Sequence, residues 1–65
     1  MEHKVVIRNM GGSYYVLIPK QVMSQLEWRE GDVCNLRVRS EESDIIELEN
    51  ISAQLRKARR RGLLK

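Results

Sequence analysis

The side chains best suited to chemistry are cationic, and they cluster near the end of the chain. Residues 50–65 hold six of the 12 basic residues and none of the nine acidic ones. Five of these cations fall within six positions: Arg56, Lys57, Arg59, Arg60 and Arg61. Cations at this density neutralise phosphates and release counterions, so the segment favours binding to nucleic acid. Binding to an acidic protein partner and simple solvation are alternative explanations.

A second group of polar residues lies in the first third of the chain. Arg8 can contact a phosphate or, through its forked guanidinium, a guanine edge. Gly12 and Ser13 offer amides and a hydroxyl that can hold a phosphate, although a tight turn would need the glycine in any case. Tyr14 can hydrogen-bond a phosphate if exposed, or pack if it is not. Lys20 lies where a phosphate would meet a helix start, and solvation explains it equally well.

Catalysis and metal binding are not expected from this composition. His3 and Cys34 are the only histidine and the only cysteine, and two ligands cannot complete a tetrahedral metal site. The paired carboxylates Glu41 and Glu42 fall in a polar turn without a neighbouring base. We therefore expect neither enzymatic activity nor a cofactor.

The first half of the chain predicts a hairpin followed by a short helix. Strands are predicted over residues 4–10 and 14–18 from their β-branched and aromatic content, with a turn at residues 11–13. Pro19 is a favoured first residue of a helix, which is predicted over residues 19–27. Its apolar positions have helical spacing: Val22, Met23 and Leu26. Two turns are too few for a helix that is stable alone, so it must pack on something.

The second half predicts another hairpin and then a basic helix. Apolar and polar residues alternate over residues 33–39, which indicates a half-buried strand, and a partner strand is predicted over residues 44–49. Either Asn50 or Ser52 can cap the final helix. This helix carries a narrow apolar stripe at helical spacing: Ile51, Leu55 and Ala58. The chain thus divides into a body, residues 1–49, and a basic extension, residues 50–65.

A chain of 65 residues has little interior of its own. A domain of this size buries only about 60% of the surface that its unfolded chain exposes. Since disulfides and a structural metal are not expected, association with a second copy is the remaining source of stability. No run approaches the roughly 20 apolar residues that span a membrane. The first residues lead into a strand pattern rather than a signal peptide, so we expect a cytoplasmic protein without membrane contact.

Four pieces of the chain, in order, resemble the AbrB/MazE (SpoVT-AbrB) family. They are Gly11-Gly12-Ser13, Val16-Leu17-Ile18-Pro19-Lys20, Leu26 at the end of the short helix, and Gly31-Asp32-Val33 before the third strand. The resemblance covers about residues 4–49. It implies a mostly β fold with short helices, in which two chains form a swapped-hairpin, double-psi-like barrel. The basic C-terminal helix is an addition to that pattern.

The resemblance also implies a DNA-binding surface. In the family, the first hairpins of two subunits interlock and present a β-surface to double-stranded DNA. Arg8 falls at a basic position of the first strand, and Asn9 falls where some members have a second basic residue. Ser13 is the turn serine, and Lys20 follows the proline at the helix start. Leu17 stands where some members carry arginine, so this surface is expected to be poorer in positive charge.

Competing functions follow from these features. The first is a homodimeric, sequence-specific or semi-specific DNA-binding transcriptional regulator, associated with the nucleoid of a prokaryote. The alternative is an antitoxin that binds its operator through the barrel and a toxin protein through residues 50–65. A purely structural dimerisation module is a third reading. The sequence does not distinguish a dimer from a tetramer.

Overall fold

The computed structural model describes residues 2–62, in which two hairpins are each followed by a short helix. The elements in chain order are β1 (Arg8–Met10), β2 (Ser13–Tyr15), α1 (Lys20–Leu26), β3 (Cys34–Ser40), β4 (Ile45–Asn50) and α2 (Ile51–Arg60). The hairpins form two separate antiparallel sheets of two strands. The type and order of all six elements are confirmed. Neither helix within residues 2–62 has the length and apolar content needed to cross a membrane.

The first hairpin is shorter than predicted. β1 and β2 have three residues each, instead of the seven and five expected over residues 4–10 and 14–18. The turn is also shorter, because Gly11 and Gly12, with φ of 57° and 89°, form a two-residue turn and Ser13 begins β2. The flanking residues have no strand beside them within the described chain, and an isolated two-stranded ribbon is only marginally stable. Because β1 and β2 are short, helix occupies nearly as many described residues as strand. The expectation of a mostly β fold is corrected accordingly.

Helix α1 begins and ends close to the predicted positions. Pro19 is its N-terminal cap, and its carbonyl accepts hydrogen bonds from the backbone N–H groups of Val22 and Met23, at 3.0 and 3.2 Å. The helix stops because Glu27 takes a left-handed conformation, with φ of 58°. The Trp28 N–H then donates to the Met23 carbonyl at 2.9 Å, which closes the last turn.

The second hairpin has one apolar and one charged face. Leu36 lies opposite Leu48 and Val38 opposite Ile46, and these four residues form what we call the apolar sheet face. Leu36, Val38 and Ile46 are 65%, 66% and 65% exposed. The predicted alternation is therefore present, but nothing within residues 2–62 covers the face that was expected to be buried.

Helix α2 is tied to the start of β3 by hydrogen bonds at its first turn. Asn50 is the cap, since its Oδ1 accepts the Ala53 N–H at 2.8 Å. Ser52, the other candidate cap, instead accepts the Val33 N–H through its Oγ at 2.9 Å. The Val33 carbonyl accepts the Ile51 N–H at 3.0 Å. The helix thus has a defined position beside β3 without depending on a hydrophobic core.

A single chain has almost no core. Among residues 2–62, only Ala53 and Asn50 are buried. The accessible surface is 6256 Å², whereas a folded monomer of this mass exposes about 4300 Å². The radius of gyration is 14.2 Å, against about 11 Å for a compact domain of this length. Both quantities describe an open molecule with exposed apolar faces.

Candidate nucleic-acid interface

The polar residues predicted on the first hairpin are exposed but divided between two faces. Asn9 lies opposite Tyr14, whereas Arg8 lies opposite Tyr15. Because neighbouring residues of a strand point to opposite sides, Arg8 and Ser13 share one face, while Asn9 and Tyr14 share the other. Tyr14 is 74% exposed and Tyr15 is 36% exposed. Of the two tyrosines, Tyr14 is therefore the one available to a partner, and Gly12 lies beside it at the tip.

Arg8 and Lys20 are free cations. Within the part of the chain that the structure describes, neither side chain forms an ion pair or a hydrogen bond. Lys4 lines the same shallow groove as Arg8, together with Leu17 and Pro19. Sequence reasoning missed Lys4, although its spacing of four residues from Arg8 is typical of two side chains on one strand face.

Over helix α2, the basic extension is bound to the rest of the chain rather than free. The Arg56 guanidinium donates two hydrogen bonds to the Asp32 carboxylate, Nη1 to Oδ1 at 2.7 Å and Nη2 to Oδ2 at 3.0 Å. Nη2 also donates to the Glu27 carbonyl at 2.9 Å. Asp32 accepts further bonds from the Arg29 N–H and from the Asn50 amide, each at 2.9 Å. Asp32 is therefore the centre of a network that joins α2 to the segment between α1 and β3.

Two more cations of α2 bind the end of α1. Lys57 donates from Nζ to the Leu26 carbonyl at 2.7 Å. Arg60 contacts the Glu27 carboxylate through both terminal nitrogens, at 2.8 and 3.2 Å. Sequence reasoning predicted these two residues and Arg56 as nucleic-acid contacts, but the structure engages all three within the chain.

Arg59 and Arg61 remain without an ion pair or side-chain hydrogen bond among residues 2–62. Arg29, on the segment that α2 contacts, is a third such cation that sequence reasoning did not select. Arg56 and Arg60 differ from these residues because each pairs with a carboxylate that is distant in sequence. A local count of charges does not detect such a pair.

The charged face of the second hairpin is neutralised by its own side chains. Arg37 donates to Glu47 at 2.8 Å and to Glu49 at 2.9 Å, and Arg39 donates to Glu47 at 3.0 Å. The pKa of Glu47 is lowered by its hydrogen bond with Arg37, and the pKa of Arg37 is raised in return. This face consequently has little free positive charge for a phosphate.

The ion pairs of α2 hold their carboxylates in the charged form. Hydrogen bonds from Arg56, from the Arg29 N–H and from Asn50 keep the pKa of Asp32 well below its ordinary value. The hydrogen bond and the positive charge of Arg60 lower the pKa of Glu27, and the pKa values of Arg56 and Arg60 are raised. The docking of α2 is thus an electrostatic contact that needs ionised carboxylates.

Comparisons with protein-family models, with curated proteins and with solved structures find no match. The AbrB/MazE resemblance therefore stays a prediction from the residues of the chain. Within residues 2–62, no group of three or more histidine, cysteine, aspartate and glutamate side chains is close enough to hold a metal ion. The free cations remain the candidate site.

We expect the stability of the protein to fall with acidification below about pH 5. The lowered pKa of Asp32 stabilises the native state above the ordinary aspartate pKa of 3.8, and that contribution disappears as the pH falls. Asp32→Asn should lower the melting temperature at pH 7, and its curve should converge with that of the wild type under acidic conditions. Circular dichroism melts between pH 7 and pH 2 measure both curves.

Asp44→Asn is the matched control, because Asp44 lies in the β3–β4 turn and forms no ion pair among the described residues. It should leave the melting temperature at pH 7 nearly unchanged. Curves for Asp32→Asn and the wild type that run parallel over the whole range would contradict the role of Asp32.

Proposed function

We propose that the protein is a homodimeric transcriptional regulator that binds double-stranded DNA. The observation that carries this proposal is the open form of the single chain, in which an apolar sheet face lies uncovered while free cations lie on and next to the first hairpin. The uncovered apolar face favours association with another copy of the chain, and the free cations favour an anionic ligand.

The accessible area supports pairing with a second copy. Each chain exposes roughly 2000 Å² more than a compact monomer of its mass would. Burial of this excess by two chains would remove about 4000 Å², which lies within the range of obligate homodimers, about 2000–5000 Å². The apolar sheet face supplies side chains suited to such an interface, since obligate interfaces are more hydrophobic than transient ones.

The arrangement of a dimer follows from the AbrB/MazE resemblance. In that arrangement, the first hairpins of two chains interlock and close a barrel with the second hairpins. Residues 4–7 and 16–18, which have no strand neighbour among the described residues of one chain, would then gain one. The short β1 and β2 are consistent with strands that are completed by a partner.

Double-stranded DNA suits the cations of the first hairpin. A two-stranded β-ribbon fits the major groove, and Arg8 can reach a guanine edge or a phosphate from it. Lys4 shares its groove, and Lys20 lies at the start of α1 nearby in the chain. Ser13 adds a hydroxyl group on the same face as Arg8, and Asn9 and Tyr14 add hydrogen-bonding groups on the opposite face. A dimer doubles the set.

The dimer is tested by a charge placed on the apolar sheet face. Leu36→Lys should give a monomeric and largely unfolded chain, because a desolvated ammonium group would face the partner. Asn35→Lys is the matched control, since it puts the same side chain one residue away on the opposite face. Light scattering measures the mass, and circular dichroism measures folding. A folded, cooperative wild-type monomer at micromolar concentration would contradict the proposal.

DNA binding is tested by the removal of one cation from the first hairpin. Arg8→Gln should weaken binding to duplex DNA and reduce the log–log salt slope by about 0.9 for each phosphate that is no longer neutralised, hence about 1.8 per dimer. Arg39→Gln is the control, because it removes an exposed arginine that already pairs with Glu47. Fluorescence anisotropy across a salt series measures both. Wild-type affinity that does not change with salt would exclude phosphate contacts.

The antitoxin alternative is favoured by the orientation of α2. At 3.6 residues per turn, Ile51 and Leu55 lie on the side of the helix opposite Ala53 and Arg60, which face the body. Leu55 is 47% exposed, so the apolar stripe is available to a protein partner. Under this alternative, the chain purified from its native host should carry a stoichiometric partner that Leu55→Lys releases. Purification without any partner would leave the regulator as the function.

A further inference from the structure

A small cleft separates the end of α1 from the C-terminal half of α2. It has a volume of about 180 Å³ and is lined by Glu27, Arg29, Arg56, Lys57 and Arg60. Four of these five side chains are cationic. The side chains that line the cleft therefore have a net positive charge, because Glu27 supplies only one negative charge.

The two carboxylate–guanidinium pairs at this cleft differ in their exposure to water. The side chains of Arg56 and Asp32 are 29% and 9% exposed, and the hydrogen bonds that Asp32 accepts from Asn50 and from the Arg29 N–H hold the pair in place. The side chains of Arg60 and Glu27 are 62% and 57% exposed, and the Glu27 carboxylate accepts from no other side chain among the described residues. Salt and water screen such an exposed pair, so it exchanges readily for another anion.

Arg29 adds a free cation to the same cleft. Its guanidinium has no ion pair or hydrogen bond within residues 2–62. Lys57 is engaged with the Leu26 carbonyl and contributes its charge from there. Arg29 and Arg60 are thus the two groups whose hydrogen-bond donors can turn to an incoming ligand while the Arg56–Asp32 pair continues to hold α2.

We propose that this cleft binds a backbone phosphate of double-stranded DNA, with Arg29 and Arg60 as its ligands and Glu27 as the internal anion that the phosphate displaces. A guanidinium binds carboxylate and phosphate in the same two-point geometry, so Glu27 marks the position that two phosphate oxygens would take. Duplex DNA can compete with the Glu27 carboxylate for Arg60, because each phosphate that is bound also releases condensed counterions. The inference rests on the proposed function, and it adds a second contact region distant in sequence from the first hairpin.

Under this proposal, the Glu27 carboxylate weakens DNA binding because it occupies Arg60. Removal of its charge should therefore increase the affinity for DNA. Glu27→Gln should tighten binding to a 20-base-pair duplex severalfold, because it frees Arg60 and removes a competing anion. Glu30→Gln is the matched control, since Glu30 is exposed on the same segment and forms no ion pair among the described residues. It makes the same change in net charge and should tighten binding less. Equal gains for both variants would overturn the proposal.

A double-mutant cycle links the gain to Arg60. Arg60→Gln should weaken binding and lower the log–log salt slope by about 0.9 per chain. In the Arg60→Gln background, the extra gain from Glu27→Gln over Glu30→Gln should vanish, since the side chain that Glu27 masks is gone. Persistence of that extra gain would overturn the proposal. Release of α2 would also free Arg56 and Lys57 for DNA, so the melting temperatures of Glu27→Gln and Glu30→Gln are compared by circular dichroism and should agree. A gain of affinity that appears only with a lowered melting temperature would overturn the proposal.

Titration with inorganic phosphate separates this inference from the proposed function. In wild-type protein, the arginine side-chain NMR signals of Arg29 and Arg60 should shift, and the shift at Arg29 should weaken in Arg60→Gln. If the wild type binds no duplex at low salt but these signals respond, the proposed function fails and the cleft stands as a phosphate site. If Arg8→Gln abolishes DNA binding while Glu27→Gln behaves as Glu30→Gln does, the function stands and the cleft fails. No response to either ligand overturns both.

Discussion

The shortage of interior in one chain is the constraint on which the rest of the structure depends. Apolar side chains are present in ordinary number, but they lie on hairpin faces that residues 2–62 leave uncovered. Leu36 and Val38 face water, while Ala53 is the only buried apolar residue in the described chain. Hydrophobic burial is the main favourable contribution to folding, so a chain with this arrangement needs a second surface to cover its own. The pairing of the hairpins sets the geometry of the exposed apolar surface.

Polar contacts hold the parts together where a core would otherwise do so. Asp32 receives hydrogen bonds from three segments of the chain through Arg29, Asn50 and Arg56. Asn50 meanwhile caps α2, so the same side chain starts the helix and ties it to Asp32. Such a network specifies one orientation of α2, since its donors and acceptors match in only one arrangement. It also makes that orientation sensitive to any change that neutralises the carboxylate.

The sequence was a reliable guide to the elements and a poor one to their long-range contacts. Alternation and the paired glycines predicted both hairpins, because strand pairing across a short turn is a local property. β1 ends at Met10 as predicted, whereas the start of β1 and both ends of β2 were wrong, since strand length depends on neighbours that local patterns do not contain. The role of Arg56 was missed for a related reason, because Asp32 lies 24 residues earlier and the two meet only after the chain has folded. The DNA-binding surface and the dimeric barrel remain predictions.

The free charge of the folded chain differs from the charge of its sequence. Counting by segment places the positive charge in residues 50–65, yet three of those cations bind Asp32, Glu27 and the Leu26 carbonyl. The cations without such contacts in the described chain lie in both halves: Lys4, Arg8, Lys20, Arg29, Arg59 and Arg61. Folding thus combines the basic extension with the acidic body and leaves a dispersed set of cations. A long, regularly charged ligand such as duplex DNA fits a dispersed set better than a compact acidic site on a protein does, because its phosphates recur about every 1.7 Å along the axis.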